Sequence, residues 1–265
     1  MENYQGSEIK QAQDTKIEYF VQTSKDGLIT VKKTPDQKLD HTYIFIHGLF
    51  DSGERMLKLL QSGTFPFPGD LCKLQIILPT APVREVTKYK RSGHSWYDMN
   101  DREFDDPLRY NEDHMRESLA YIISLIDQVA VEFHNSDYSK VYLGGFSQGC
   151  LMSFLAAISF PKRIGGIIGY SGIVPPIAFK LIDENPGNLQ HLQTLPFLQY
   201  VGVEDPLFPI EKAKKQAEEF WKELLNALNF KFVEEAGLGH KLSQKGLMIG
   251  NEFIESTIKQ FQQKL

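Results

Sequence analysis

The chain has 265 residues, of which 42% are hydrophobic and 24% are charged, and its formal net charge is −5 at pH 7. This length is enough for one large α/β domain or two small ones. The composition has no surplus of positive charge of the kind that binds nucleic acid, and no apolar run approaches the roughly 18 residues of a membrane span.

Cysteine usage and the start of the chain predict a reducing compartment. Cys72 and Cys150 are the only cysteines and lie among apolar residues, which indicates neither a disulfide framework nor a zinc site. The first six residues are polar and lack the apolar core of a signal peptide. We therefore expect a cytoplasmic protein.

A β-hairpin is predicted near the N-terminus. Residues 17–21 and 28–31 read as two strands, because Asp26-Gly27 between them favours the positive φ angles of a tight turn. We assign residues 1–40 to an N-terminal extension that carries this hairpin.

Residues 41–265 are predicted to form a single domain in which strands and helices alternate. The predicted strands are short apolar runs at residues 43–46, 75–78, 141–143, 166–172, 195–203 and 231–233. The predicted helices have apolar residues at helical spacing and cover residues 54–61, 113–133, 148–159, 211–228 and 243–261. This alternation predicts an α/β fold with a mostly parallel central sheet and helices on both faces.

Two segments of this domain have no predicted regular structure. Residues 83–111 are longer than most loops inside a compact domain, which predicts an excursion over a functional site. Within it, Trp96 either lines that site or only attaches the loop to the core. Residues 173–194 contain Pro175-Pro176 and Pro186-Gly187 and read as irregular.

The pattern Gly145-Phe146-Ser147-Gln148-Gly149 lies between a predicted strand and a predicted helix. G-x-S-x-G in this context is typical of a nucleophile elbow, where glycines allow the sharp turn that exposes the serine hydroxyl. A Gly-rich turn with a helix-capping serine would give the same letters, so the pattern needs catalytic partners elsewhere.

The partners follow Ser147 in the order that this architecture requires. A serine nucleophile needs a base and a carboxylate that orients the base, and the expected order is Ser, Asp or Glu, then His. Asp205 follows one predicted strand and His240 follows the next. Glu204 competes with Asp205, and we prefer Asp205 because Asp-Pro begins a fixed turn.

The other histidines are given different roles. His47 follows a strand at the same sheet edge but precedes the elbow, so we interpret it as shaping the loop it belongs to. The remaining five are expected to be solvated: His41, His94, His114, His134 and His191. No group of His, Cys, Asp or Glu has metal-ligand spacing, and no Gly-rich loop has nucleotide-binding form, so we expect no cofactor.

The loop after residues 43–46 reads His47-Gly48-Leu49-Phe50-Asp51-Ser52-Gly53. In serine hydrolases of this architecture such a loop supplies an oxyanion donor, which makes the Leu49 N–H the candidate. An ordinary strand-to-helix connection without a catalytic part is the equally weighted alternative.

Six motifs together resemble one family. They are residues 47–53, Leu78-Pro79-Thr80-Ala81-Pro82-Val83-Arg84 with Val86-Thr87, Ser95-Trp96-Tyr97-Asp98, the elbow, Asp205-Pro206-Leu207-Phe208-Pro209 and Gly237-Leu238-Gly239-His240. In this order and spacing the chain is similar to the acyl-protein thioesterase and lysophospholipase group of the phospholipase/carboxylesterase family, which has the α/β-hydrolase fold.

The resemblance implies a function and site residues. It implies hydrolysis of fatty-acyl thioesters on S-acylated proteins, and of lysophospholipids or small esters, with Ser147 as nucleophile, Asp205 as orienting carboxylate and His240 as base. It implies an oxyanion hole from the N–H groups of Leu49 and Gln148. We assign substrate binding to Phe50, Trp96 and Leu207.

Some features depart from the family pattern and leave alternatives open. Phe50 stands where the family usually has Gly and could narrow the acyl entrance, and Cys150 replaces a usual Gly. The alternatives are a small-molecule carboxylesterase and a catalytically silent α/β-hydrolase that acts as a receptor or scaffold. We expect no nucleic-acid partner, and we expect a monomer or a weak homodimer. The sequence is compatible with peripheral contact with a membrane.

Overall fold

The computed structural model describes residues 19–36, 39–66 and 73–263. Within these residues the protein has ten strands and seven α-helices. The strands are β1 Phe20–Thr23, β2 Ile29–Lys32, β3 His41–Ile46, β4 Leu74–Leu78, β5 Val83–Val86, β6 Arg91–His94, β7 Val141–Phe146, β8 Gly166–Tyr170, β9 Phe197–Gly202 and β10 Phe230–Glu235. The helices are α1 Gly53–Gln61, α2 Glu112–His134, α3 Gln148–Ser159, α4 Ile177–Glu184, α5 Leu189–Thr194, α6 Ile210–Ala217 and α7 Gln244–Gln262.

Eight strands form the central sheet, in the order β1-β2-β4-β3-β7-β8-β9-β10. The six strands from β4 to β10 in this order are parallel, as expected for continuous apolar runs that are buried on both faces. Their C-terminal ends therefore meet at one edge of the sheet. The predicted fold class is confirmed.

Apolar residues pack on both faces of the sheet. Alternate residues of β3 point to opposite faces: Ile44 and Ile46 join the larger apolar cluster, which contains residues of α2, α3, α4 and α6. Tyr43 and Phe45 join the second cluster, which contains residues of α1 and α7. Two helical layers thus exclude water from both faces of the sheet.

The N-terminal hairpin is part of the central sheet. β1 and β2 pair in antiparallel fashion around a turn at Gly27, whose φ is 85°, and β2 then pairs with β4. The sheet therefore crosses the predicted boundary at residue 40, and we propose that the domain begins at or before Phe20. Residues 17 and 18 of the predicted first strand lie outside the described residues.

The excursion at residues 83–111 contains a second, two-stranded sheet formed by β5 and β6. The prediction of no regular structure was wrong here. Of their residues only Val86 is buried, so no alternation of apolar and polar residues marks these strands in the sequence.

Residues 173–194 were also predicted incorrectly as irregular, because they contain α4 and α5. Pro176 caps the start of α4. A proline interrupts a helix interior but is tolerated at the first turn, where its missing N–H is not needed.

The predicted helix over residues 211–228 ends earlier than expected. α6 continues into a π-helix at Glu218–Leu224, and the helix stops at Leu225. Phe220 and Trp221 are buried as predicted, whereas Leu224 and Leu228 are exposed. The wider π turn shifts the later residues off the apolar face.

Among the described residues, no helix is both long and apolar enough to cross a membrane.

Candidate active site

Ser147 lies in the sharp turn between β7 and α3. Its φ of 54° and ψ of −116° are outside the regions that most residues adopt. The Ser147 N–H donates to the Tyr170 carbonyl at 3.0 Å, which fixes the turn against β8. The strained conformation is the one expected of a nucleophile elbow.

The two flanking glycines are required by close backbone contacts. A Cβ on Gly145 would lie 2.5 Å from the Gly149 carbonyl oxygen, and a Cβ on Gly149 would lie 2.0 Å from the Ile46 carbonyl oxygen. Both distances are far below van der Waals contact. The elbow can therefore form only with glycine at these two positions.

Ser147, His240 and Asp205 form a continuous hydrogen-bonded chain. The Ser147 Oγ lies 2.9 Å from His240 Nε2, and His240 Nδ1 lies 2.8 Å from Asp205 Oδ2. The Asp205 side chain is 0% exposed, whereas that of His240 is 17% exposed. The imidazole can thus accept the serine proton while its other nitrogen is held by a carboxylate.

Two backbone groups fix the Asp205 carboxylate. Its Oδ1 accepts the N–H groups of Leu207 at 2.9 Å and Phe208 at 3.1 Å. The neighbouring Glu204 has an exposed side chain, and its N–H donates to the Leu238 carbonyl. Of the two carboxylates that the sequence left in competition, only Asp205 bonds to His240.

The loop that carries His240 is closed by Glu235, which sequence analysis did not single out. Glu235 Oε2 accepts the hydroxyls of Tyr200 at 2.7 Å and Ser243 at 2.5 Å. Burial raises the pKa of Glu235, but these two hydrogen bonds together with the positive charges of Lys245 and Lys241 outweigh it, so the pKa of Glu235 is lowered. Glu235 is the last residue of β10 and Ser243 is the N-cap of α7. The hydrogen bond between them therefore holds the two ends of the loop together.

Two aromatic rings flank the His240 imidazole. The centroids of Phe146 and Phe208 lie 5.0 Å and 5.6 Å from that of His240. These rings limit the tilt of the imidazole, and its hydrogen bond to Asp205 directs Nε2 toward Ser147.

The two candidate oxyanion donors belong to two separate segments, the start of α3 and the loop after β3. Gln148 is the first residue of α3, where backbone N–H groups have no acceptor within the helix. Leu49 lies in a turn closed by a bond from the Asp51 N–H to the Gly48 carbonyl, with Phe50 at a positive φ of 61°. Glycine adopts such a φ without cost and phenylalanine does not.

Trp96 does not contact the solvent-accessible site, because its side chain is 0% exposed. Its indole N–H donates to the His47 carbonyl at 2.9 Å, and its backbone N–H donates to Gln148 Oε1 at 3.0 Å. Gln148 Nε2 also donates to the Tyr97 carbonyl at 2.9 Å. These contacts favour the alternative stated from the sequence, and we propose that Trp96 attaches the excursion to both segments of the candidate oxyanion hole rather than binding substrate.

Phe50 and Leu207 remain at the surface of the site. The Phe50 ring is half-buried, with the Arg91 guanidinium 3.7 Å above it and the Tyr89 ring 5.6 Å away. Leu207 is 42% exposed next to Asp205. Both stay predicted substrate contacts, and the position of Phe50 is fixed by residues of the β5–β6 hairpin.

His134 was predicted to be solvated, and this was wrong. It is buried at the end of α2, where its Nε2 lies 2.8 Å from Thr42 Oγ1. Burial lowers the pKa of His134 from 6.5 to about 4. In the sequence His134 stands at the end of a helix among polar residues, and nothing there indicates a contact with β3.

Among the described residues, no group of three or more His, Cys, Asp or Glu side chains is arranged to hold a metal ion.

Comparisons with known proteins give consistent results. Residues 29–258 match the sequence model of the phospholipase/carboxylesterase family. The chain is 31% identical to acyl-protein thioesterase 1 of Schizosaccharomyces pombe over 221 residues, which are 82% of this chain and 91% of that protein. It is 29% identical to carboxylesterase SOBER1 of Arabidopsis thaliana over 220 residues, 82% of this chain and 88% of that protein. The crystal structure of SOBER1 superposes with a TM-score of 0.70 at 26% identity, covering 82% of this chain and 99% of the other.

Proposed function

The chain belongs to the phospholipase/carboxylesterase family of α/β-hydrolases, and within this family we propose that it is a serine hydrolase that removes fatty-acyl groups from S-acylated proteins. The observation that carries the proposal is the hydrogen-bonded chain from Ser147 through His240 to Asp205. The relatives named acyl-protein thioesterase 1 support the thioester as the bond that is cleaved. Lysophospholipids are a second acyl donor with the same chemistry.

The first half-reaction transfers the acyl group to the enzyme. Ser147 Oγ attacks the acyl carbonyl carbon while its proton moves to His240 Nε2. The carbonyl oxygen becomes an oxyanion, which accepts hydrogen bonds from the Leu49 and Gln148 N–H groups. When the C–S bond breaks, the proton on His240 goes to the leaving sulfur, so a thiol departs and an acyl-serine ester remains.

The second half-reaction releases the fatty acid. A water molecule attacks the ester carbonyl and gives one proton to His240, and the same two N–H groups stabilise the second oxyanion. The C–O bond to Ser147 breaks as His240 returns that proton to Oγ. Asp205 stays ionised throughout and stabilises the imidazolium.

A small-ester carboxylesterase is the second candidate, and the position of Phe50 favours it. Its ring is held by Arg91 at a position where the resemblance implies glycine, and a ring at this place would narrow the acyl entrance and favour short substrates. The relative named carboxylesterase SOBER1 is similar over the same part of the chain.

The test is kcat/KM for purified protein on acyl thioesters from acetyl to palmitoyl, with Ser147→Ala as the control. We expect Ser147→Ala to abolish turnover with no change in Tm, and kcat/KM to rise toward long chains. A maximum at short chains would favour the carboxylesterase, and full activity of pure Ser147→Ala would refute both candidates.

We also propose that the enzyme is cytoplasmic and meets its substrates at a membrane surface, through the tip of the β5–β6 hairpin. Lys90 and Arg91 are exposed there beside Tyr89, and Lys88 is partly exposed. Each such cation contributes about 1 kcal/mol near an anionic bilayer, which supports transient contact only. Running the same assay with and without phosphatidylserine vesicles tests this, and an unchanged rate on membrane-bound palmitoyl substrate after Lys90→Glu with Arg91→Glu would contradict it.

A further inference from the structure

His47 follows β3 directly and is the first residue of the loop that carries Leu49. Its side chain is fully buried, and both ring nitrogens have a partner. The Ala81 N–H donates to His47 Nε2 at 3.0 Å, and His47 Nδ1 lies 2.6 Å from the carbonyl oxygen of Gly48. The ring of Trp96 packs against the imidazole, with centroids 5.1 Å apart.

These contacts determine which tautomer is present. A backbone N–H can only donate, so Nε2 must be the nitrogen without a proton. Burial lowers the pKa of His47 from 6.5 to about 4, so the ring is neutral at neutral pH. A neutral imidazole then carries its proton on Nδ1, and this proton is donated to the Gly48 carbonyl.

The Gly48 carbonyl shares a peptide group with the Leu49 N–H. The described residues contain no cis peptide bond, and in a planar trans peptide the C=O and N–H bonds point in opposite directions. The Gly48 oxygen accepts from His47 Nδ1 and from the Asp51 N–H. Holding this oxygen from two sides directs the Leu49 N–H away from His47.

We propose that His47 is a positioning residue of the oxyanion hole: by holding the Gly48 carbonyl through Nδ1–H, it sets the direction of the Leu49 N–H. This inference rests on the proposed function, in which that N–H stabilises the oxyanion. His47 does not touch the substrate. Its effect belongs to the transition state, because an oxyanion donor acts only once negative charge develops.

The loop needs such a restraint because the turn itself is strained. Phe50 holds a positive φ two residues after Gly48, and a strained turn keeps its shape only while the surrounding contacts hold it. The Phe50 N–H is bonded to the His94 carbonyl at 2.8 Å, which anchors the following peptide but leaves the Leu49 peptide to His47 and Asp51.

Two substitutions of His47 test the hydrogen bonds of the two ring nitrogens separately. The side-chain amide of asparagine reaches the place of Nδ1 and can donate to the Gly48 carbonyl, but it cannot reach Ala81. The side-chain oxygen of glutamine reaches the place of Nε2 and can accept the Ala81 N–H, but glutamine leaves no donor at Nδ1. His47→Asn and His47→Gln therefore form a matched pair that loses the same ring packing.

We expect His47→Gln to lower kcat about 10²-fold with KM nearly unchanged, as for loss of one oxyanion donor. We expect His47→Asn to recover kcat to within about five-fold of the unsubstituted protein, with a Tm close to that of the glutamine variant. Equal losses of kcat in the two variants would overturn the proposal, as would full activity of His47→Gln.

Two measurements do not depend on hydrolysis and so separate this proposal from the proposed function. In crystal structures the Gly48–Leu49 peptide should be reversed in His47→Gln and retained in His47→Asn, and an unchanged peptide in both would overturn the proposal. If the variants fail to fold, imidazole ¹⁵N NMR of the unsubstituted protein decides. A protonated Nδ1 on His47 supports the proposal and a protonated Nε2 refutes it.

Discussion

Replacing Asp205 with asparagine should lower kcat about 10⁴-fold while leaving the fold intact. The amide has one oxygen and one NH₂ group, and the site decides which occupies each position. The place of Oδ1 receives two backbone N–H groups, from Leu207 and Phe208. An NH₂ group there would leave both donors unsatisfied, at a cost of about 1–3 kcal/mol each.

The amide oxygen must therefore remain at Oδ1, and the NH₂ group must face His240 Nδ1. Nδ1 then has to act as an acceptor, which moves the imidazole proton to Nε2. In this tautomer His240 cannot accept the Ser147 proton. Loss of the correct tautomer in such a triad typically costs about 10⁴ in kcat, which is about 5 kcal/mol at 1.36 kcal/mol per ten-fold.

The assay is the initial rate of thioester hydrolysis at saturating substrate, with circular dichroism and Tm as the check on folding. Glu204→Gln is the matched control, because Glu204 is the adjacent carboxylate with an exposed side chain, and its kcat should stay within two-fold. Retention of more than a tenth of the activity in Asp205→Asn would refute the reasoning, and so would an equal loss in Glu204→Gln.

Two further predictions concern stability. Gly149→Ala should destabilise the protein by at least about 3 kcal/mol, because the new Cβ would lie 2.0 Å from the Ile46 carbonyl oxygen. Gly187→Ala is the control, because its Cβ meets nothing within 4 Å. Similar urea midpoints for the two variants would contradict this prediction. The free energy of unfolding should also fall as the pH drops from 6.5 toward 4, because burial lowers the pKa of His47 and His134 to about 4 and the unfolded chain then binds the extra protons. For His47 the shift corresponds to about 3 kcal/mol, so urea unfolding of His47→Asn should show a shallower fall than the unsubstituted protein, and parallel curves would refute this contribution.

The family and the fold class could be predicted because their signals are carried by short, contiguous motifs and by apolar runs. A strand that is buried on both faces has few alternatives to apolar residues, so β3, β4 and β7 stand out in the sequence. The order of Ser147, Asp205 and His240 along the chain reflects the order in which the parallel strands present their C-terminal ends. Their catalytic roles remain predictions, and the distances between them supply the geometry on which those predictions rest.

Other features could not be predicted, because they depend on contacts between distant segments. The burial of Trp96 requires its bonds to His47 and Gln148, which the excursion reaches only after folding back across the sheet edge. Glu235 looks like an ordinary polar residue at a strand end until Tyr200 and Ser243 are placed beside it. In the β5–β6 hairpin only Val86 is buried. Its strands therefore need no alternation of apolar and polar residues that could be recognised in the sequence.

The order of strands in the central sheet also determines when the chain becomes an enzyme. β7, β8, β9 and β10 lie side by side in the order in which they leave the ribosome, so Ser147, Asp205 and His240 are added one after another. His240 comes last, in the loop between β10 and α7. If His240 is the base, as proposed, a chain that stops before this loop lacks the base and has no hydrolase activity during synthesis. Activity therefore reports that the final strand has been added.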